Sequence, residues 1–277
     1  KSIMARHFAH LLGYTIEFIP LYRDMSCRDI LQRRCTDSKG DTMWKNSGLV
    51  KAAIEGSIAL LDPIDVLPLG TLGSLQRFIL DREIVLPDGS QLINFERYQH
   101  LIKVKGYTRE MLLEKRIFMI HQSFRIIALA RPDKPFTARG KWLNPEVLSM
   151  FSFLPTRPMN IEEEENVLRI LFPSLGADQI QVIAEFAHSL RSEKDETIQE
   201  VARNFSTRQL IRIAKRLVKF PNEDLFSTIM KISLFKFLPN LAQDTLRIFL
   251  SKHNIKESKE AEESISISHF KTDRGNL

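Results

Sequence analysis

Cysteine is nearly missing from this 277-residue chain: only Cys27 and Cys35 occur. Two cysteines without a ligand pattern provide neither a disulfide framework nor a zinc site, and the expectation is two free thiols of a reducing compartment. No apolar run approaches the roughly 18–20 residues a membrane span needs. No block of Lys and Arg interleaved with aromatics appears, although the net charge is +6. Acids and bases alternate along most of the chain, which describes a solvated surface and not a nucleic-acid patch. No G-x-S-x-G elbow is present, so no serine-hydrolase arrangement is readable. His7, His10, His100, His121 and His188 share no metal-ligand spacing with acids or cysteines. The first residue is Lys1, already inside a helical pattern, and no signal or transit peptide is readable within these residues. The expectation is that the native start lies upstream, which leaves localisation unread.

What is present is organised around Gly56-Ser57-Ile58-Ala59-Leu60-Leu61-Asp62. A continuous apolar run without polar alternation fits a strand buried on both faces of a parallel sheet. The acid at its C-terminal end stands where open α/β sheets bind ligands. Taken alone, an acid closing a buried strand also arises by chance. Ahead of it, helical spacing over 1–12 places Ile3, Met4, Phe8, Leu11 and Leu12 on an inward face. Tyr14–Leu21 alternates as a strand, Ser26 caps a short helix, and 36–46 reads as a polar hairpin or loop. A helix over Ser47–Glu55 leads into the central strand. One amphipathic helix is expected over Thr71–Asp81, then a hairpin around Asp88-Gly89. Residues 94–116 read as a charged helical insertion. Phe124–Ala130 is a second buried strand, and strands separated by helices predict a parallel sheet.

Beyond Pro158 the pattern is helical throughout: Ile161–Leu171, with Asn160 as a cap, Asp178–Ser192, Thr197–Asn204, Ser206–Phe220, and Asp224–His253 broken at Pro239. The apolar stripe Leu234, Phe235, Phe237 and Leu238 is expected in that region's core. The chain therefore divides into an α/β domain over 1–158, a small all-helical domain over 159–255, and a Lys/Glu/Ser-rich tail over 256–277 expected to be disordered.

Lys1-Ser2 is a common dipeptide, but it opens a helix tens of residues ahead of a buried strand ending in Asp62. That is the second half of the P-loop pattern GxxxxGK[ST]. The glycine-rich half is expected just ahead of residue 1. The order of Lys1-Ser2, Ser47–Gly56, Ile58–Asp62, Leu75–Glu83, the Asp88-Gly89 hairpin and Phe124–Ala128 resembles a dynein-related, MoxR/midasin-type AAA+ module. Finer likeness over 21–34, 124–130 and 205–213 points to a multi-module mitochondrial ATPase of that group. The resemblance implies a P-loop αβα core followed by a helical lid, binding ATP with Mg²⁺ in a ring of similar modules, in the mitochondrion. It implies that Lys1 neutralises β/γ-phosphate charge, that Ser2 and Asp62 hold Mg²⁺ (Asp62 through water), and that Arg208 is the lid arginine that senses the γ-phosphate. Without the family, Arg208 is an ordinary surface arginine.

Three positions depart from the family pattern. Pro63 stands where an active module carries the glutamate that polarises water. Asp65 lies close by as a candidate substitute, but the expectation is a solvated acid. Arg131 stands where the family presents Asn to the water, and Met150 where it presents an arginine to the neighbouring subunit, with Arg157 nearby but out of register. The expectation is a module that hydrolyses ATP weakly. The alternative is a nucleotide-binding or scaffold module that does not hydrolyse and serves ring assembly.

Overall fold

A computed structural model describes residues 1–131, 145–193 and 205–255, together with residues 199 and 202. The chain divides into two compact units, Lys1–Thr156 and Arg157–Leu277. The first is α/β and the second is helical over its described residues.

Three parallel strands form the main sheet of the first unit, in the order β1 (Ile16–Pro20), β4 (Ile58–Asp62), β8 (Arg125–Ala128). The apolar run at 58–61 is continuous because β4 lies centrally, paired on both edges and covered on both faces. Ala59 and Leu61 face a core built with Leu49, Val50, Ala52 and Ala53 of α3 (Gly48–Glu55). Helix α3 starts where Ser47 Oγ accepts the Leu49 and Val50 amides, and stops at left-handed Gly56. A Cβ on Gly56 would stand 2.3 Å from His121 Nδ1. Gly56→Ala therefore combines left-handed strain with a clash and is expected to cost about 2–4 kcal/mol in urea denaturation.

Helix α1 (Ser2–Leu11) corrects an expectation. It buries Ala5 and Ala9, while Ile3, Met4, Phe8, Leu11 and Leu12 remain exposed. The small pair lies roughly a third of a turn round the helix from the apolar stripe, and it is the small side that lets the helix approach β4.

Between β1 and α3, the capping box of Ser26 and Asp29 opens α2 (Cys27–Leu31), and a hairpin follows. Its strands are β2 (Gln32–Thr36) and β3 (Thr42–Asn46), turned by Asp37, whose carboxylate accepts the Lys39 and Asp41 amides. Cys27 and Cys35 are free thiols. The helix expected over Thr71–Asp81 is two short ones, α4 (Leu69–Ser74) and α5 (Gln76–Leu80), jointed at Leu75. Leu72, Leu75 and Phe78 still face the core.

The Asp88-Gly89 hairpin is present as β5 (Ile84–Val85) and β6 (Gln91–Ile93), with Gly89 at φ +85°. The charged stretch after it holds α6 (Phe95–Lys103) and α7 (Arg109–Glu114), capped by Asn94 and Thr108. A short strand not anticipated, β7 (Ile117–Met119), pairs parallel with β6. Helix α8 (Pro145–Met150) is the last in this unit.

In the second unit α9 (Ile161–Leu171), α10 (Ala177–Ser192), α11 (Thr207–Lys219), α12 (Leu225–Ile232) and α13 (Asn240–Lys252) surround one core. Leu168, Ile183, Phe186, Leu210, Ile213 and Leu246 are fully buried in it. The chain breaks twice between Asp224 and His253: at Leu234, whose φ is +53°, and again at Pro239. Of the expected stripe Leu234, Phe235, Phe237 and Leu238, Phe235 is buried and Leu238 packs half-buried against the core, while the turn at 235–237 leaves Leu234 and Phe237 exposed. The expected tail over 256–277 and nearly all of the expected helix over 197–204 lie outside the described residues.

Candidate functional site

The site lies at the C-terminal end of β4, where the sheet ends and the chain turns into Pro63. Parallel pairing carries β4 and β8 past their last strand residues together. The Leu129 amide donates to the Leu61 carbonyl at 2.8 Å, and the Ile64 amide to the Leu129 carbonyl at 2.9 Å. This zipper sets Asp62, Pro63 and Asp65 beside Leu129, Ala130 and Arg131. The Asp62-Pro63 peptide is cis.

Helix α1 begins at the same mouth. Ser2 Oγ donates to Asp62 Oδ2 at 2.6 Å, and Lys1 Nζ donates to the Ala130 carbonyl. Residues 60 positions apart are thus joined by a side-chain hydrogen bond. No acidic residue lies in the first turn of α1 itself, and the carboxylate that meets its positive dipole end is Asp62, from β4. The donor set fits the group the family pattern implies. A hydroxyl and a carboxylate oxygen are the hard ligands Mg²⁺ selects, and Mg²⁺ at phosphate sites takes few protein ligands. Among the described residues no cluster of three or more His, Cys, Asp or Glu could hold a metal without help from a ligand. An ammonium at a helix N-terminus matches phosphate.

Sequence reading missed how Asp65 and Arg131 sit. Asp65 is not a solvated acid: its side chain is 9% exposed, and both oxygens are engaged. Oδ1 accepts the Arg131 backbone amide and Oδ2 accepts Nε of the same residue, each at 2.9 Å. The parallel register of the two strands is the signal that pairs these positions. Pro63 brings no proton acceptor.

The other sequence candidates stand apart. Met150 is buried in the core of the first unit. Arg157 begins the second unit, where its Nη1 donates to Glu163 Oε2 at 2.8 Å. Arg208 is exposed at the second position of α11 in that unit. Among the described residues no ion pair holds it. Glu163 is also the acid of a capping box with Asn160. Hydrogen bonds from Arg157 and the Asn160 amide hold its carboxyl down at about 2, from an ordinary 4.5. A depressed carboxyl stabilises the folded state above its unfolded value and loses that stabilisation as pH falls through the folded one. The cap on α9 is therefore expected to weaken between pH 4.5 and about 2. Comparing thermal melts of the wild type and Glu163→Gln checks this: their difference should close across that window.

These features place Lys and Ser at the head of a helix, against an acid at the end of a buried parallel strand. The family model for the AAA domain (dynein-related subfamily) matches residues 1–151. The chain belongs to this AAA family. It is also 43% identical over 271 residues to von Willebrand factor A domain-containing protein 8 of Mus musculus, covering 98% of the chain. It spans only 14% of that protein's length. The α/β unit with its parallel sheet is thus an AAA core, and the candidate site stands at its strand ends, where open α/β sheets bind ligands. Among the described residues of this AAA module, no helix is long and apolar enough to cross a membrane.

Proposed function

We propose that this chain is a nucleotide-binding AAA module of a longer, multi-module protein, and that it binds ATP with Mg²⁺ but hydrolyses it slowly. The observation that carries the reading is the Ser2–Asp62 hydrogen bond, with Lys1 beside it on the Ala130 carbonyl. In this reading Lys1 meets the β/γ-phosphates, Ser2 and Asp62 hold the metal, and Arg208 is the γ-phosphate-sensing arginine that the family resemblance implies. Other AAA modules, of the same chain or of a ring, are the partners. Mitochondrial residence comes with the proposal from the family resemblance, and imaging of the tagged full-length protein tests it.

The test is a calorimetric titration of ATP·Mg²⁺ into this chain and into the chain extended through the glycine-rich stretch expected upstream. Saturable binding to the extended chain, weakened roughly tenfold or more by Lys1→Ala, is the expected result. Absence of binding to both would leave the second reading, a scaffold that assembles with other modules without nucleotide. In the nucleotide-binding reading, the engagement of Asp65 by Arg131 favours slow chemistry, since no free carboxylate follows β4.

A further inference from the structure

We infer that the exposed apolar face of α13 is a docking surface for a segment of this same chain, residues 264–270, which folds back along the helix it follows. This docking is independent of nucleotide binding.

Helix α13 is apolar on two sides. Ala242, Leu246, Phe249 and Leu250 fill the core of the helical unit. On the outward side Leu241 is 64% and Ile248 66% exposed, and Phe237, just ahead of the helix, is 85% exposed. Leu241 and Ile248 are two turns apart and share a face. Thr245 between them satisfies its polar atom within the helix, its Oγ1 donating to the Leu241 carbonyl at 2.8 Å. A surface helix ordinarily carries polar side chains opposite its core face. A row of large apolar side chains in their place marks an interaction surface.

Reach, charge and size set the occupant. Ile255 is buried in the same core, and its amide donates to the Leu250 carbonyl at 2.9 Å. The chain therefore leaves the core at the C-terminal end of α13. At about 1.5 Å of rise per residue, Ile248 stands about 6 Å and Leu241 about 16 Å back from Lys252. The connecting residues 256–263 reach up to about 28 Å when extended. Beyond them 264–270 read Ser-Ile-Ser-Ile-Ser-His-Phe. Alternate residues of an extended segment share a side, so Ile265 and Ile267 can face α13 together while the serines face water. The connection holds Glu257, Glu260, Glu262 and Glu263 against Lys256 and Lys259. The last turns of α13 offer the opposite charge, with Arg247 over the Phe235 ring at 5.1 Å and Lys252 over the Phe249 ring at 5.5 Å. Among the described residues neither cation is in an ion pair. Interfaces between separate chains take about 20–30 residues a side, far more than this row provides. A tethered segment needs less, because a short connection supplies an effective concentration in the millimolar range.

The test is amide hydrogen exchange on the whole chain. Residues 265–270 are expected to exchange at least about tenfold more slowly than an unstructured peptide of the same sequence, as a millimolar effective concentration gives a contact of ~0.1 mM affinity. Leu241→Ser combined with Ile248→Ser should return them to the unstructured rate. Both positions are exposed, and a cooperative thermal melt shows that the double variant is folded. Arg247→Gln combined with Lys252→Gln should lower the protection by roughly threefold. Exchange of 265–270 at the unstructured rate in wild type overturns the inference, as does protection that Leu241→Ser with Ile248→Ser leaves unchanged. Sedimentation velocity covers the rival occupant: a dimer in wild type that the same double variant abolishes would give the face to a second copy, and overturns the inference too.

Discussion

Glu164→Ala is expected to cost the helical unit about 3–5 kcal/mol, the loss found when one member of a buried ion pair is removed. Glu164 is 1% exposed, although it sits within a run of four glutamates. Its Oε2 accepts Arg191 Nη1 at 2.9 Å and its Oε1 accepts the Thr207 hydroxyl. Arg191 Nε in turn donates to the Phe205 carbonyl at 2.6 Å. One carboxylate thus joins α9, α10 and the first residue of α11. His188 Nε2 lies 2.9 Å from Oε2 but makes no aligned hydrogen bond, so it adds proximity rather than a third donor. Alanine would leave Arg191 without its counter-charge, and Arg191 Nη2 is already buried without a partner. Amide hydrogen exchange across 207–219 reads this locally: protection should fall in the alanine variant. Glu164→Gln keeps the shape and one acceptor, and should lose less than half as much. Equal protection in all three proteins would show that the carboxylate does not hold α11.

The run Ile161-Glu162-Glu163-Glu164-Glu165 marks the limit of what the sequence makes legible. Its first half is readable, since Asn160 followed three residues later by Glu163 is a capping signature, and the capping box forms. That one of the next two acids is buried is not readable, because the partners come from α10 and α11, far along the chain. Strand β4 was legible for the opposite reason: a run buried on both faces carries its environment in its own residues. The Asp88-Gly89 hairpin was legible through a local backbone demand, the positive φ of Gly89. The face of α1 was not, because periodicity marks the apolar stripe, while the sheet accepted the small side, Ala5 and Ala9. Strand β7 is three half-buried residues, too short to show a period.

Within the site, Lys1, Ser2 and Asp62 were legible as motif halves, and the structure brings them together. The family resemblance was needed to connect them, since neither half is specific. The bond between Asp65 and Arg131 is hidden in the sequence because the two residues lie 66 positions apart. Only the register of β4 with β8 sets them side by side.

ATP turnover by this module is expected to remain at least roughly 10³-fold below that of an active module, because the trans-acting arginine alone is worth ~10³–10⁵ and general-base assistance ~10²–10⁴. Pro63→Glu alone is expected to restore less than about tenfold, since residues that act as a unit do not contribute separately. The new carboxylate would enter a strand end that already holds the Arg131 guanidinium, paired there with Asp65. An ion pair between Arg131 and Glu at 63 would compete with water for that carboxylate. Nor does Met150→Arg repair the neighbour-facing contact. Met150 is 6% exposed in the core, so an arginine there would bury an unpaired charge. Its expected result is lost stability without gained rate. Arg157 cannot substitute from where it stands, since Glu163 binds two of its nitrogens. Single-turnover hydrolysis of radiolabelled ATP by the extended chain, wild type and Pro63→Glu, measures this directly. A rise of a hundredfold or more in the single variant would mean that Pro63 alone limits the chemistry and that the Asp65–Arg131 pair does not obstruct it. A rise under tenfold, with ATP still bound, would locate the deficit in the arrangement of the whole strand end.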